Sequence, residues 1–351
     1  MSFFTDPTPY FDEWLRQGPA LIETPDGQPT WLIARYDDVV QALSHPGLSS
    51  AFLPGSNMLN HTDPPDHTRL RKPVARAFST RRVEALRPRI EQITNELLDA
   101  WETEEEVDVI NTFAYPLPIT VICELLGVPE SDRDEVRALS SELLAPATTA
   151  EAYGRFVAYT ERLLETKELG DDVITELRDE PNLVQNLVLL ISAGHETTVQ
   201  LIGSGLLTLL CDPVMKQRLI DDPLLIPDAV EELLRFDGPF PTGLIRVATT
   251  DVVIGGVTIP RSSQVTVSLG AANRDRSRYS DPDVLQLGRD PHVAFGHGIH
   301  YCVGARLARI EGEIAFGTLL RRFPELVLAA EPEWRESFIR GLASFRVRPK
   351  P

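Results

Sequence analysis

Cysteine is scarce in this sequence: three in 351 residues, at 123, 211 and 302, with no C-x-x-C pair, so neither a disulfide framework nor a zinc site is readable. A reducing cytoplasm suits that count. Positive charge is also short: 34 Lys and Arg stand against 52 Asp and Glu, and a formal charge of −18 repels nucleic-acid phosphate and anionic membrane alike. The N-terminal MSFFTDPTPYFDEW lacks the basic-then-apolar order of a secretory signal. No long apolar run is free of polar groups. The longest, NLVLLISAGHETTVQLIGSGLLTLL, carries His195, Glu196 and Gln200 midway, which is costly in lipid and reads as a long buried helix.

Helical period and proline dominate what is present. In RIEQITNELLDAW (89–101), Ile90, Ile93, Leu97 and Trp101 are spaced to share one face, with charges opposite. Twenty-eight prolines divide the chain into many helices joined by turns such as YPLP and GVPE. Two stretches break the pattern. ALIETPDGQPTWLIAR (20–35) reads as a hairpin about Pro-Asp-Gly, and DVVIGGVTIPRSSQVTVSL (251–269) as a second β segment turning at Gly255-Gly256. The acidic ETEEE (102–106) reads as a solvated loop, and the class is mainly α with a small β part.

Cys302 lies in FGHGIHYCVG (295–304), ahead of the helical ARLARIEGEIAFGTLLRRF. Gly296, Gly298 and Gly304 allow positive φ or close backbone approach on either side, so a bulky rigid group can press against the loop. A cysteine at a helix N-terminus is favoured as thiolate. Shielded by Phe295, such a thiolate suits a soft metal, and a single protein thiolate is the proximal ligand of one haem class. A small core cysteine is the competing reading.

At these residues the sequence resembles the cytochrome P-450 family. Phe295, Gly296, Gly298, His300, Cys302 and Gly304 fill every fixed position of its haem-binding signature. The resemblance covers almost the whole chain and is strongest to bacterial soluble members. It implies a single domain over residues 1–351, the cytochrome P-450 fold, and haem b between the long helix and the cysteine loop, with Cys302 as axial iron ligand. AGHETT (193–198) matches the run over the distal haem face, which casts Ala193 and Gly194 as the oxygen-binding groove and Glu196 with Thr197 as the proton-delivery pair. A buried mid-helix acid is unfavourable unless employed, and threonine can bend a helix by bonding the carbonyl four residues back. Glu232 and Arg235 match the family's Glu-x-x-Arg pair, and Arg289 matches the third arginine of its scaffold. His67, Arg71, Arg246 and His300 match the propionate ligands.

The reaction so implied inserts one atom of O2 into a C–H bond of a small molecule. A peroxide-driven peroxygenase and a non-oxidising haem-thiolate ligand-binding protein are the alternatives. HTRLRKPVARAFSTRR (67–82) has six Lys or Arg and no acid, and with Arg306 and Arg309 it is the expected docking patch for a ferredoxin served by a ferredoxin reductase. Leu53, Met58, Leu59, Ile191, Pro241 to Leu244, Phe338 and Ile339 are the expected pocket residues. They point to a medium-sized, mainly apolar substrate. The protein is expected to be monomeric, cytoplasmic and without a membrane span. The segments before His67, at 163–182 and between Arg289 and Phe295 are short for the family, from heat adaptation or a more open pocket.

Overall fold

The computed structural model describes residues 3–24, 27–53, 55–145, 148–335, 337 and 339–350. The chain forms two compact units, each drawn from two separate segments: Met1–Arg71 with Glu231–Val303, and Lys72–Val230 with Gly304–Pro351.

The first unit is built on a five-stranded sheet in the order Ala20–Glu23, Pro29–Ile33, Gln264–Val267, Leu244–Ala248, Leu48–Ser49. The first two strands are the expected hairpin, pairing Ala20 with Leu32. Of its expected turn residues, Pro25 and Asp26 lie outside the described residues, and Gly27 takes a φ of 78°. Val252–Ile254 and Val257–Ile259 form the second hairpin, where Gly255 and Gly256 adopt φ of 55° and 79°. The strand that follows leaves this hairpin and runs parallel to Pro29–Ile33, pairing Trp31 with Val265. Side chains alternate along a strand, so Val265 and Val267 turn inward together, against Ile33, Val39, Leu43, Val252 and Ile259. Arg246 stands opposite Val265 in this sheet.

The second unit is organised by the helix Leu183–Cys211, 29 residues long and about 44 Å from end to end. It is apolar on nearly every side, and neighbours surround it: Pro116–Leu126, Thr149–Thr166, Ala305–Arg322 and the hairpin Glu333–Arg335/Gly341–Ser344. Two of its glycines are packing points. A Cβ on Gly194 would fall 2.7 Å from Ile122 Cγ1, and one on Gly203 would fall 2.6 Å from Ile110 Cδ1. Among the described residues no single helix is long and apolar enough to cross a membrane.

One expected helix face shifts. Arg87–Asp99 buries Ile90, Ile93, Thr94 and Leu98, while Leu97 is half-buried, because the true period carries the stripe on by four from Thr94. Trp101 is buried as expected, but from the turn beyond the helix end. Residues 102–106 are exposed throughout.

Candidate active site

The Cys302 loop closes on itself. The Cys302 N–H donates to the Phe295 carbonyl at 3.0 Å, and the Gly296 N–H to the Val293 carbonyl at 2.8 Å. Gly296 and Gly298 take φ of 74° and 72°, where side chains are disfavoured, and a Cβ on Gly298 would fall 2.8 Å from the Leu43 carbonyl oxygen. Gly304 makes no use of positive φ: its φ is −84°, and it caps the helix Ala305–Arg322. The Cys302 N–H is thus used within the loop and the helix starts three residues later. Cys302 itself is exposed, and the half-buried Phe295 ring lies against Tyr301 at 6.3 Å.

Three groups from distant parts of the sequence, His67, Arg71 and Arg246, gather beside this loop and its own His300. Arg71 donates to the Tyr301 carbonyl; burial lowers its pKa, and the nearby Cys302 opposes that. The rings of His67 and His300 lie 4.2 Å apart. Burial, then the charges of His67 and Arg246, hold His300 down at about 3. Arg246 is 5% exposed and, among the described residues, donates only to the Ile245 carbonyl. Nε2 of both His67 and His300 is buried with no partner. Each such orphan costs about 1–3 kcal/mol unless an acceptor arrives. The two propionates of a haem are such acceptors, and with the exposed thiol beside them these residues fit the group.

Glu232, Arg235 and Arg289 form the expected network. Arg235 holds both oxygens of Glu232, at 2.7 and 2.8 Å, and Arg289 Nε reaches Glu232 Oε1 at 3.2 Å. The arginines also bond the carbonyls of Asn273, Pro282, Ser280, Asp281 and Val284, so a buried ion triad fixes the segment leading to the loop. Sequence reasoning missed Asn273 and Tyr36. Asn273 Oδ1 accepts from the Val293 N–H at 2.8 Å, and Tyr36 donates to the Pro291 carbonyl at 2.9 Å. Nothing local marks either, since the partners lie 20 and 255 residues away.

On the long helix, Thr197 Oγ1 donates to the Ala193 carbonyl at 3.0 Å, the expected back-bond. Ala193 is exposed and Thr197 half-buried; with Leu189 they form an i, i+4 stripe that is the more open face of the helix. Leu189 was missed, although it is one turn from Ala193. Gly194 is half-buried and meets Ile122, so its missing side chain answers a packing demand.

Glu196, one turn on from Ala193, is fully buried. Its Oε2 accepts from Arg335 Nη2 at 2.6 Å, and Oε1 from the Tyr115 hydroxyl at 3.1 Å. Arg335 Nε is buried without a partner. Burial pushes the Glu196 pKa up, but His195 and then Arg335 outweigh it and hold the carboxyl at about 2. At neutral pH the carboxyl is ionised. Glu196 is therefore a resident anion, not a resident acid.

The basic stretch is less bare than its sequence. Arg82 pairs with Glu176 at 2.5 Å, and Arg306 pairs with Glu84, which Arg87 also holds. These acids come from outside the stretch. Among the described residues Lys72, Arg76 and Arg81 remain exposed and make no ion pair. Of the expected pocket residues, Leu53 is exposed and Met58 half-buried, but Leu59, Ile191 and Ile339 are buried. Ile191 belongs to the helix core. Phe338 lies outside the described residues.

Residues 223–338 match the family model described as Cytochrome P450. The chain is 47% identical to Cytochrome P450 107B1 of Saccharopolyspora erythraea, over 93% of this chain and 91% of that protein. It is 42% identical to the Vitamin D(3) 25-hydroxylase of Pseudonocardia autotrophica, over 100% of this chain and 95% of that one. The solved structure of the tirandamycin C-bound P450 monooxygenase TamI is similar with a TM-score of 0.91 and 40% identity, covering 99% of this chain and 98% of that one. With a signature loop, a buried ion triad and matches of this length, the chain belongs to the cytochrome P450 family and is a haem-dependent monooxygenase of small molecules.

Proposed function

We propose that this enzyme inserts one oxygen atom from O2 into a C–H bond of a medium-sized, mainly apolar molecule, with electrons from a ferredoxin-type donor. The observation that carries the reading is the cluster of His67, Arg71, Arg246 and His300 beside Cys302, two of its buried nitrogens lacking an acceptor. Haem b held by Cys302 supplies the activation of dioxygen, and thiolate donation favours O–O cleavage.

The chain's own residues do the rest. Arg71 favours the thiolate form of Cys302, and Arg71, Arg246, His67 and His300 hold the propionates. Ala193, on the open stripe of the long helix, leaves room for oxygen. Thr197 commits its hydroxyl proton to the Ala193 carbonyl, so its oxygen accepts a hydrogen bond and orients a proton donor at that face. Glu196 passes protons toward Thr197, taking each one up only transiently. Relatives named for hydroxylation of vitamin D3 and for binding tirandamycin C support a small organic substrate. Lys72, Arg76 and Arg81 supply an exposed positive face for an acidic electron donor.

Reduced, carbon-monoxide-bound protein is expected to show the red-shifted Soret band of thiolate ligation, and Cys302→Ser to lose both that band and turnover. A variant that keeps both ends this reading. Thr197→Ala is expected to keep the band while lowering the fraction of reductant that ends in product.

A further inference from the structure

The network behind Thr197 holds more groups than an acid–alcohol pair requires. Besides Glu196, the Tyr115 hydroxyl stands 3.1 Å from His195 Nε2, 3.3 Å from Ser141 Oγ and 3.3 Å from the Arg137 carbonyl. Ser141 Oγ also reaches Glu196 Oε1, at 3.4 Å. His195 Nδ1 lies 2.7 Å from the Ile191 carbonyl, which can only accept, so Nδ1 carries a proton. Two hydroxyl protons, of Tyr115 and Ser141, face two acceptors, Glu196 Oε1 and the Arg137 carbonyl, and His195 Nε2 lies beside them. The bonds can reverse by rotation about C–O, with no heavy atom moving.

Burial gives the network a direction. His195 and Glu196 have no exposed surface and Tyr115 is 4% exposed, whereas Ser141, on the helix Arg133–Leu144, is only half-buried. The charges that face it are Arg335 on Glu196 Oε2 and Arg137, whose guanidinium carbon lies 4.3 Å over the Tyr115 ring.

We propose that protons reach Glu196 through the hydroxyls of Ser141 and Tyr115, with His195 holding the phenol in line. This rests on the reading of Glu196 and Thr197 as the proton-delivery pair. In one passage a solvent hydronium gives a proton to Ser141 Oγ and leaves as water, Ser141 gives its own to Tyr115 Oη, and Tyr115 gives its own to Glu196 Oε1. Three O–H bonds break and three form, and no electrons are transferred. Each hydroxyl ends with one proton, and only Glu196 is protonated, ready to pass it on. Tyr115 and Ser141 act through Glu196 and are positioning residues.

The test uses the holoenzyme with Ser141→Ala, Tyr115→Phe, the double variant and Glu196→Gln. The double variant is expected to lower coupling of reductant to product by on the order of tenfold and to enlarge the solvent deuterium isotope effect, with haem content and ferric spin state unchanged. If Glu196→Gln uncouples turnover but the double variant keeps wild-type coupling and isotope effect, the route is wrong while the acid–alcohol reading stands. If Glu196→Gln changes nothing, both fall. Should the double variant not take up haem, Ser141→Ala alone decides by the same isotope effect: a shift supports the route and none overturns it. A readout without turnover is the infrared band of the Glu196 carboxylate, assigned by its loss in Glu196→Gln. It is expected to shift in each hydroxyl variant, and an unmoved band overturns the geometry.

Discussion

Around Cys302, two buried imidazole nitrogens have no acceptor; around Glu196, both carboxylate oxygens are bonded and the charge is paired. Both regions place polar groups out of water, yet the first leaves two imidazoles without an acceptor, whereas the second pairs its anion within the protein and leaves only Arg335 Nε unmatched. Unsatisfied groups of this kind are a cost that a cofactor relieves on binding, so they mark where an anionic group belongs. A satisfied network marks where geometry and protonation state are fixed before any ligand arrives. Opposite responses to substitution follow.

The largest contrast is expected at His67. His67→Leu removes a buried nitrogen with no partner, so haem affinity should fall on the order of 10–100-fold while the haem-free protein is no less stable, or gains about 1 kcal/mol. Haem titration and urea unfolding of the same preparations measure the two effects. A loss of haem-free stability that matches the loss of affinity would erase the distinction.

Arg335→Met should give the reverse. Haem affinity is kept, but the haem-free protein loses about 2–3 kcal/mol at pH 7, because Glu196 is left as a buried, poorly paired anion. The pH dependence has a definite sign. The Glu196 carboxyl is held at about 2, below its ordinary 4.5, so its contribution is whole above pH 4.5 and fades as the pH falls toward 2. Variant and parent should therefore converge in acid, and parallel stability curves down to pH 2 would show that Arg335 acts by packing alone.

The smallest effect is expected at Gly194. Gly194→Ala sets a Cβ 2.7 Å from Ile122 Cγ1 and should cost about 1 kcal/mol, regained when Ile122→Val makes room. If Gly194→Ala leaves stability unchanged yet lowers coupling, the glycine serves the oxygen face and not the helix contact.

Much of this was legible wherever the signal is local. The glycines beside Cys302, the turn at Gly255-Gly256 and the apolar run of the long helix are written within ten to thirty residues, and they appear where the spacing put them. The stripe of Arg87–Asp99 was misplaced by one residue, at Leu97 for Leu98, because a 3.6-residue period allows steps of three or four and only the neighbours choose. Ile191 was expected at the pocket and lies in the core, since a helix apolar all round does not announce its open face.

By itself the sequence determined which atoms can ligate, accept or donate: one cysteine in a glycine-rich loop, an acid beside an alcohol in mid-helix, and histidines and arginines in family order. Only the tertiary structure decided their states. Tyr115 lies 81 residues from Glu196 and Arg335 lies 139 away, and desolvation and ion pairing depend on distance through space. A residue's type is a property of its place in the chain, but its charge belongs to the neighbours that folding brings.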